Sequence, residues 1–238
     1  VVEVIALDGD DTLWHSEGGF AEAGERLAAL LEPWAPPQTV DERLYRTESA
    51  NLPSFGYGVK AFTLSMVETA VEVSGGQVPA ATIAEIVALG RALLHAPVEL
   101  LDGVEEALET LAGDFRLVLL TKGDLVHQER KIADSGLAEH FDRVEIVSEK
   151  DTATYARLIA SEAVAAPRFL MAGNSLRSDV LPPLDLGARA AHIPYAVTWV
   201  HEQACPEEAV RRGAVVLGSL AELPPLATRL AAAPTSAA

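Results

Sequence analysis

The chain is poor in cysteine, in basic residues and in long apolar runs, and each shortage removes a class of function. A single cysteine, Cys205, among 238 residues excludes an internal disulfide and a cysteine-based zinc cluster. With no histidine near it beyond His201, it reads as filler rather than a nucleophile. Eighteen Lys and Arg stand against 35 Asp and Glu, a formal charge of −17 that would repel a phosphate backbone and argues against nucleic acid polymer as a partner. A small anionic substrate stays compatible, because a metal and one or two lysines reverse the field locally. No apolar run approaches the roughly 20 residues that a membrane helix needs. The first residues read directly as a strand, with no basic leader before a small-residue cleavage site, so a cytoplasmic location is the expectation.

What remains is ordinary for a globular protein: 49% hydrophobic and 22% charged residues, in a length that suits one domain with a sizeable insertion or two small domains. The stretch that organises it is VVEVIALDGDDTLW. Residues 1–7 read as a short buried strand, which stops on Asp8, Asp10 and Asp11. Side chains alternate along an extended chain, so Asp8 and Asp10 are expected on one side, with Gly9 allowing a turn between them. Two carboxylates about 5 Å apart repel by roughly 3 kcal/mol at an effective dielectric of 20, so the pair calls for a cation or a proton. A divalent, oxygen-seeking ion such as Mg²⁺ answers that need. Asp11 is assigned to the turn or to solvent, and Thr12 to shaping the turn by hydrogen bonding.

After Trp14 the pattern becomes helical for about 80 residues, with segments at 20–31, 41–50, 59–73 and 80–94 broken at Pro36-Pro37, at Asn51-Leu52-Pro53 and at Gly75-Gly76. From Leu101 strands and helices alternate: helix 103–112, strand 116–121, helix 124–135, strand 143–148, helix 152–164 and strand 168–173. A short helical stretch then begins at Asp179, and 189–193 and 214–217 are further strand candidates. The expected fold is α/β, a doubly wound, mostly parallel Rossmann-like sheet with an inserted α-helical cap. Residues 1–14 and 101–230 form the core, 15–100 the cap and 231–238 a frayed tail. In such a sheet ligands bind beyond the carboxyl ends of the strands. The distinctive polar residues fall there: Asp8 after the first strand, Thr121 after the second, Lys150 past the third, Asn174 and Asp179 after the fourth.

In that order the chain resembles the haloacid dehalogenase-like superfamily of hydrolases, most closely its phosphatase branch. LDGDDTLW resembles the first motif, LLTKGD the second, the lysine of VSEKD the third and GNSLRSD the fourth. The resemblance implies that Asp8 is a nucleophile forming an aspartyl-phosphate, and that Asp10 protonates the leaving oxygen and then activates water. It implies Mg²⁺ held by the Asp8 carboxylate, the Asp10 backbone carbonyl and Asp179. Thr121 would bind a phosphoryl oxygen, and Lys150 would offset charge shared by phosphate and Asp8. The fourth motif departs from the usual Gly-Asp: Asn174 keeps an oxygen that reaches the ion through water but lacks the charge. Taken alone, Lys150 reads as a surface lysine, Asp179 as a helix N-cap, and Ser175 and Ser178 as loop filler.

The implied partner is a small phosphorylated metabolite. The side chain of Lys122 is expected to point away while its backbone and that of Gly123 contact phosphate. In the cap, Tyr57 and Lys60 of SFGYGVKAF are candidates for contacting the leaving group. Trp14 and His15 are placed near the hinge, and Trp199 and His201 after the fifth strand. Two competing functions stand beside the phosphatase: a 2-haloacid dehalogenase, which attacks carbon and needs neither metal nor proton donor, and a non-catalytic binding protein on the same scaffold.

Overall fold

The computed structural model describes residues 1–197, 199, 202 and 204–232. Strand β1 (Val4–Leu7) leads into four helices, α1 (Glu17–Leu31), α2 (Pro37–Phe55), α3 (Val59–Val73) and α4 (Ala80–Leu94). Alternation follows: α5 (Val104–Ala112), β2 (Arg116–Lys122), α6 (Leu125–Ser135), β3 (Arg143–Val147), α7 (Thr152–Ser161), β4 (Phe169–Gly173), α8 (Leu181–Asp185), β5 (Arg189–His192), α9 (Pro206–Arg211), β6 (Val215–Val216) and α10 (Leu223–Ala232). The chain divides into two compact units: residues 1–15, 98–122 and from 129 onward, and residues 16–97 with 123–128.

The first unit is a sheet of order β3-β2-β1-β4-β5-β6 in which every pairing is parallel. Order reverses at β1, so the crevice favoured for ligands opens beyond the ends of β1 and β4, where Asp8 and Asn174 sit. Alternation along each strand feeds two cores. Ile5, Leu7, Leu117, Leu119, Leu170 and Ala172 pack with α5 and α10 through Leu108, Leu111, Leu223 and Leu226. Val4, Ala6, Val118, Leu120, Phe169 and Met171 pack on the other face with Tyr155, Leu158 and Ile159 of α7. Burial of each such aliphatic side chain contributes about 1.5–3 kcal/mol, which is what fixes the register of these short strands. The doubly wound α/β architecture is the one expected from the alternation of elements.

The second unit is built on Leu27, Leu31, Val40, Leu44, Phe62, Met66 and Ile86, with Phe20 edge-on to Phe62 at 5.2 Å. Its second helix corrects the sequence reading. No break occurs at Asn51-Leu52-Pro53: α2 starts with Pro37 in its first turn, runs through Pro53 and ends before Gly56, whose φ of 69° suits glycine. Interior proline costs about 3 kcal/mol locally. Here Asn51 Nδ2 donates to Ser65 Oγ at 3.1 Å and to Glu68 at 2.8 Å on α3, and the apolar face stays buried, so packing holds the helix together. Asp124 precedes α6 and caps it, accepting from the His127 N–H at 3.0 Å. The expected tail lies mostly outside the described residues, since α10 continues to Ala232.

Candidate active site

At the end of β1 the Asp8 N–H still donates to the Ala172 carbonyl of β4 at 3.0 Å, so the carboxylate leaves the sheet from a fixed backbone. The chain then reverses: the Gly9 carbonyl accepts from Leu13 N at 2.8 Å, and Asp11 adopts a left-handed φ of 59°. Asp11 is buried in this turn, so of the two alternatives read for it, turn or solvent, the turn holds. Gly9 is required by close approach, because a Cβ there would come within 2.7 Å of the Trp14 ring. The same notional atom would lie 3.4 Å from Thr121 Oγ1, which places the buried threonine at the end of β2 beside the first motif.

Asp8, Lys150 and Asp179 form one buried cluster. The Lys150 ammonium bonds to Asp8 Oδ1 and lies 2.8 Å from Asp179 Oδ1. Lys150 is only 3% exposed, so the surface-lysine alternative is gone. Thr12 Oγ1 donates to Asp8 Oδ2 at 3.1 Å and accepts from Asn174 N at 3.1 Å, tying the first motif to the fourth. The Asn174 carbonyl in turn accepts from His192 Nε2 at 3.0 Å. Asp179 is not a helix N-cap: Ser175 fills that role, accepting from Ser178 N at 3.0 Å, and Asp179 lies inside the wide turn Leu176–Val180. Its Oδ2 accepts from Ser175 N at 2.9 Å. Gly173 allows this, since a Cβ there would meet Asp179 Oδ2 at 2.3 Å.

Two carboxylates share one ammonium out of water. Burial pushes the Asp8 carboxyl up to about 7; Lys150 pulls against that shift and Asp179 adds to it. Burial alone would lower Lys150, but Asp179 and Asp8 outweigh it and hold the ammonium above its usual range. His192 is lowered by burial, which favours the neutral ring with its proton on Nε2.

Asp10 points elsewhere than expected. Its Oδ1 accepts from Trp14 Nε1 at 2.6 Å and is ion-paired with the buried Lys131 of α6. It still raises the Asp8 pKa, less than burial and Asp179 do, so the two carboxylates sense each other. Lys122 turns its ammonium to Glu202, to Ser178 Oγ at 3.0 Å and to Glu149 at 3.4 Å. Glu202, Lys131 and His192 were not read from the sequence as site residues. The serines read there as filler carry hydrogen bonds to Glu202. Tyr57, Lys60 and Gly123 belong to the helical unit, where Lys60 pairs with Asp124 at 3.0 Å. Trp14 is fully buried, His15 Nδ1 is 2.6 Å from the Tyr195 hydroxyl, and Trp199 is half-buried. His201 lies outside the described residues.

A family model described as haloacid dehalogenase-like hydrolase matches residues 2–181. The chain belongs to the haloacid dehalogenase-like hydrolases. A haloacid dehalogenase-like family hydrolase from Xanthomonas campestris is 41% identical over 96% of this chain and 91% of that one, with a TM-score of 0.86. A 2-haloacid dehalogenase from Pseudomonas syringae superposes at TM-score 0.62 with 20% identity, over 96% of this chain and 99% of that one. A predicted phosphoglycolate phosphatase from Haemophilus somnus does so at 0.61 with 14% identity, over 94% and 97%. A comparison with proteins of curated function finds no match. The likeness to the Pseudomonas and Haemophilus proteins is one of fold, and their names fall on either side of the choice between carbon and phosphorus chemistry.

Magnesium is the ion implied for such a haloacid dehalogenase-like hydrolase, and the donor set fits it. Asp8 and Asp179 present hard carboxylate oxygens around one point, and with Lys150 they leave a surplus negative charge in a buried place. That surplus accompanies the raised Asp8 pKa and would be relieved by a divalent cation. Among the described residues no group of three or more His, Cys, Asp or Glu converges as a preformed cage. Water and a backbone carbonyl would complete the shell, with Asn174 reaching the ion through water, as Mg²⁺ usually allows.

Proposed function

We propose that the protein is a Mg²⁺-dependent phosphatase that hydrolyses small phosphate monoesters through an aspartyl-phosphate on Asp8. The observation that carries this reading is Asp10, a carboxylate two residues beyond Asp8 and held by Trp14 and Lys131. Displacement of halide from carbon has no use for a proton donor, whereas an alkoxide leaving group does. Asp8 attacks phosphorus, the bond from phosphorus to the leaving oxygen breaks, and Asp10, protonated on Oδ2 while Oδ1 stays with Trp14 and Lys131, gives that oxygen its proton. Asp10, now a carboxylate, takes a proton from water as the water oxygen attacks phosphorus. The bond to Asp8 then breaks and orthophosphate leaves. Thr121 donates to a phosphoryl oxygen, and Lys150 balances charge at Asp8 and the incoming phosphate. Bound magnesium supplies further charge neutralisation at the phosphoryl oxygens. The helical unit acts as the cap, with Tyr57 and Lys60 meeting the leaving group and the backbone of Lys122 and Gly123 meeting phosphate. A small phosphorylated metabolite in the cytoplasm belongs to the same reading.

One observation favours the dehalogenase instead: Asn174 stands where the fourth motif of the phosphatase resemblance usually has an aspartate. A screen of phosphorylated metabolites and 2-chloroacids, with Mg²⁺ and with EDTA, tests the choice. The phosphatase reading expects phosphate release that EDTA and Asp8→Asn both abolish. Metal-independent chloride release without phosphatase activity would reverse it.

A further inference from the structure

Glu202 follows β5 in the chain and belongs to none of the four motif stretches, yet it joins the second to the fourth. Its side chain is 14% exposed and both carboxylate oxygens are engaged. Oε1 pairs with Lys122, the residue after Thr121, and Oε2 accepts from the hydroxyls of both Ser175 and Ser178. Each serine has one proton to give and gives it to Glu202. As acceptors, Ser175 Oγ takes the Ser178 N–H at 3.0 Å and Ser178 Oγ takes the Lys122 ammonium at 3.0 Å. The Tyr155 hydroxyl donates to the Ser178 carbonyl at 2.9 Å, closing the turn from below. This direction of donors requires a group with no proton of its own. Burial works against the charge, but Lys122 and the hydrogen bonds from Lys122, Ser175 and Ser178 outweigh it and keep the carboxylate ionised.

The turn so gripped is the one that aims Asp179. Ser175 N holds Asp179 Oδ2 at 2.9 Å, leaving Oδ1 for Lys150 and the Asp8 side of the cluster. We propose that Glu202 is a positioning residue: through Ser175 and Ser178 it fixes the turn that presents Asp179, and so sets the affinity of the site for a divalent cation. The proposal rests on the magnesium-dependent reading above. Carboxylates that orient a metal ligand from outside the coordination shell commonly change affinity about 10–100-fold when removed.

The test is calorimetric titration of Mg²⁺, and of Mn²⁺ as a tighter-binding probe, into the substrate-free full chain. Glu202→Ala removes the acceptor for both serines and is expected to raise the Kd about 10–100-fold. The double variant Ser175Ala/Ser178Ala, which keeps Glu202 and its pairing with Lys122, is expected to give a rise of the same order. Glu202→Gln keeps one oxygen that accepts from both hydroxyls but sets an NH₂ against the Lys122 ammonium, and is expected to recover part of the lost affinity relative to Glu202→Ala. A general loss of structure would follow the melting temperature of each variant and would not separate Gln from Ala in this way. Should Glu202→Ala fail to fold, the double serine variant carries the test alone. Cation affinity within twofold of the parent in Glu202→Ala or in the serine variant would overturn the proposal while leaving the magnesium reading intact. A parent protein that binds neither ion at millimolar concentration would overturn both.

Discussion

Replacing Lys150 by methionine keeps an unbranched side chain only one atom shorter and removes the ammonium that Asp8 and Asp179 share. Both carboxylates are buried, so they are left facing each other with repulsion of roughly 3 kcal/mol at about 5 Å and a dielectric of 20. Breaking a buried pair from one side commonly costs about 3–5 kcal/mol. The pH dependence separates this cause from a simple packing defect. In the parent, the folded Asp8 pKa of about 7 lies above the ordinary 3.8. Its proton therefore contributes stability that is fully present below pH 3.8 and lost as pH rises through 7, about 4 kcal/mol in all at about 1.4 kcal/mol per unit. Above pH 7 the parent curve is flat on this account, and Lys150, raised above its ordinary 10.5, stays charged throughout. Without Lys150 the cluster keeps a proton to higher pH. Stability of Lys150→Met then continues to fall by about 1.4 kcal/mol per unit above pH 7. Urea unfolding followed by circular dichroism, in EDTA from pH 5 to 9, measures both curves. Parallel curves above pH 7, or a loss under about 1 kcal/mol at pH 8, would refute the reasoning.

Gly173→Ala places a methyl where Asp179 Oδ2 now lies, so Asp179 must move. Mg²⁺ affinity should fall about 10–100-fold in a calorimetric titration, and an unchanged Kd would contradict the geometry. Asp10→Asn should lower kcat by about 10²–10⁴ on alkyl phosphates and much less on a nitrophenyl phosphate, whose leaving group needs no proton. Equal losses on both would remove the acid role. Lys60→Ala breaks a half-exposed pair with Asp124 and should cost no more than about 1 kcal/mol in a thermal melt. Its effect on catalysis should be a raised KM for the preferred substrate with a small aryl phosphate little changed; parallel changes on both would free Lys60 of any role in recognition.

The four strand ends were legible because each rests on local signals: a β-branched run, then a polar residue where the run stops. Asp8 and Thr121 stand at the ends of their apolar runs, Lys150 and Asp179 a few residues beyond theirs in the loops that follow, and parallel pairing converts this into proximity. Glu202 gave no such signal. Its partners Ser175 and Ser178 lie well back in the sequence, and no local pattern links them to it. Lys131 was hidden for a different reason, since a lysine on a polar helix reads as solvated. A clue did exist: His127, Gln128 and Lys131 fall on one face of α6 at helical spacing, and all three are buried. Pro53 misled because a local penalty was weighed without the α2 to α3 packing that overrides it. Helices α9 and α10 were not read, although α9 opens with proline and two glutamates, a standard first turn.

The placing of β1 also bears on how the chain matures. Its partners are β2 and β4, with Val4 beside Arg116 on one side and Phe169 on the other. Ribosomes adding about 5–20 residues per second need roughly 5–20 s to travel from Leu7 to Arg116. Throughout that interval the apolar segment VIAL has no neighbour, while the intervening helices can pack locally as they emerge. The newborn protein therefore carries an unpaired sheet-forming segment during synthesis, a source of aggregation when elongation stalls.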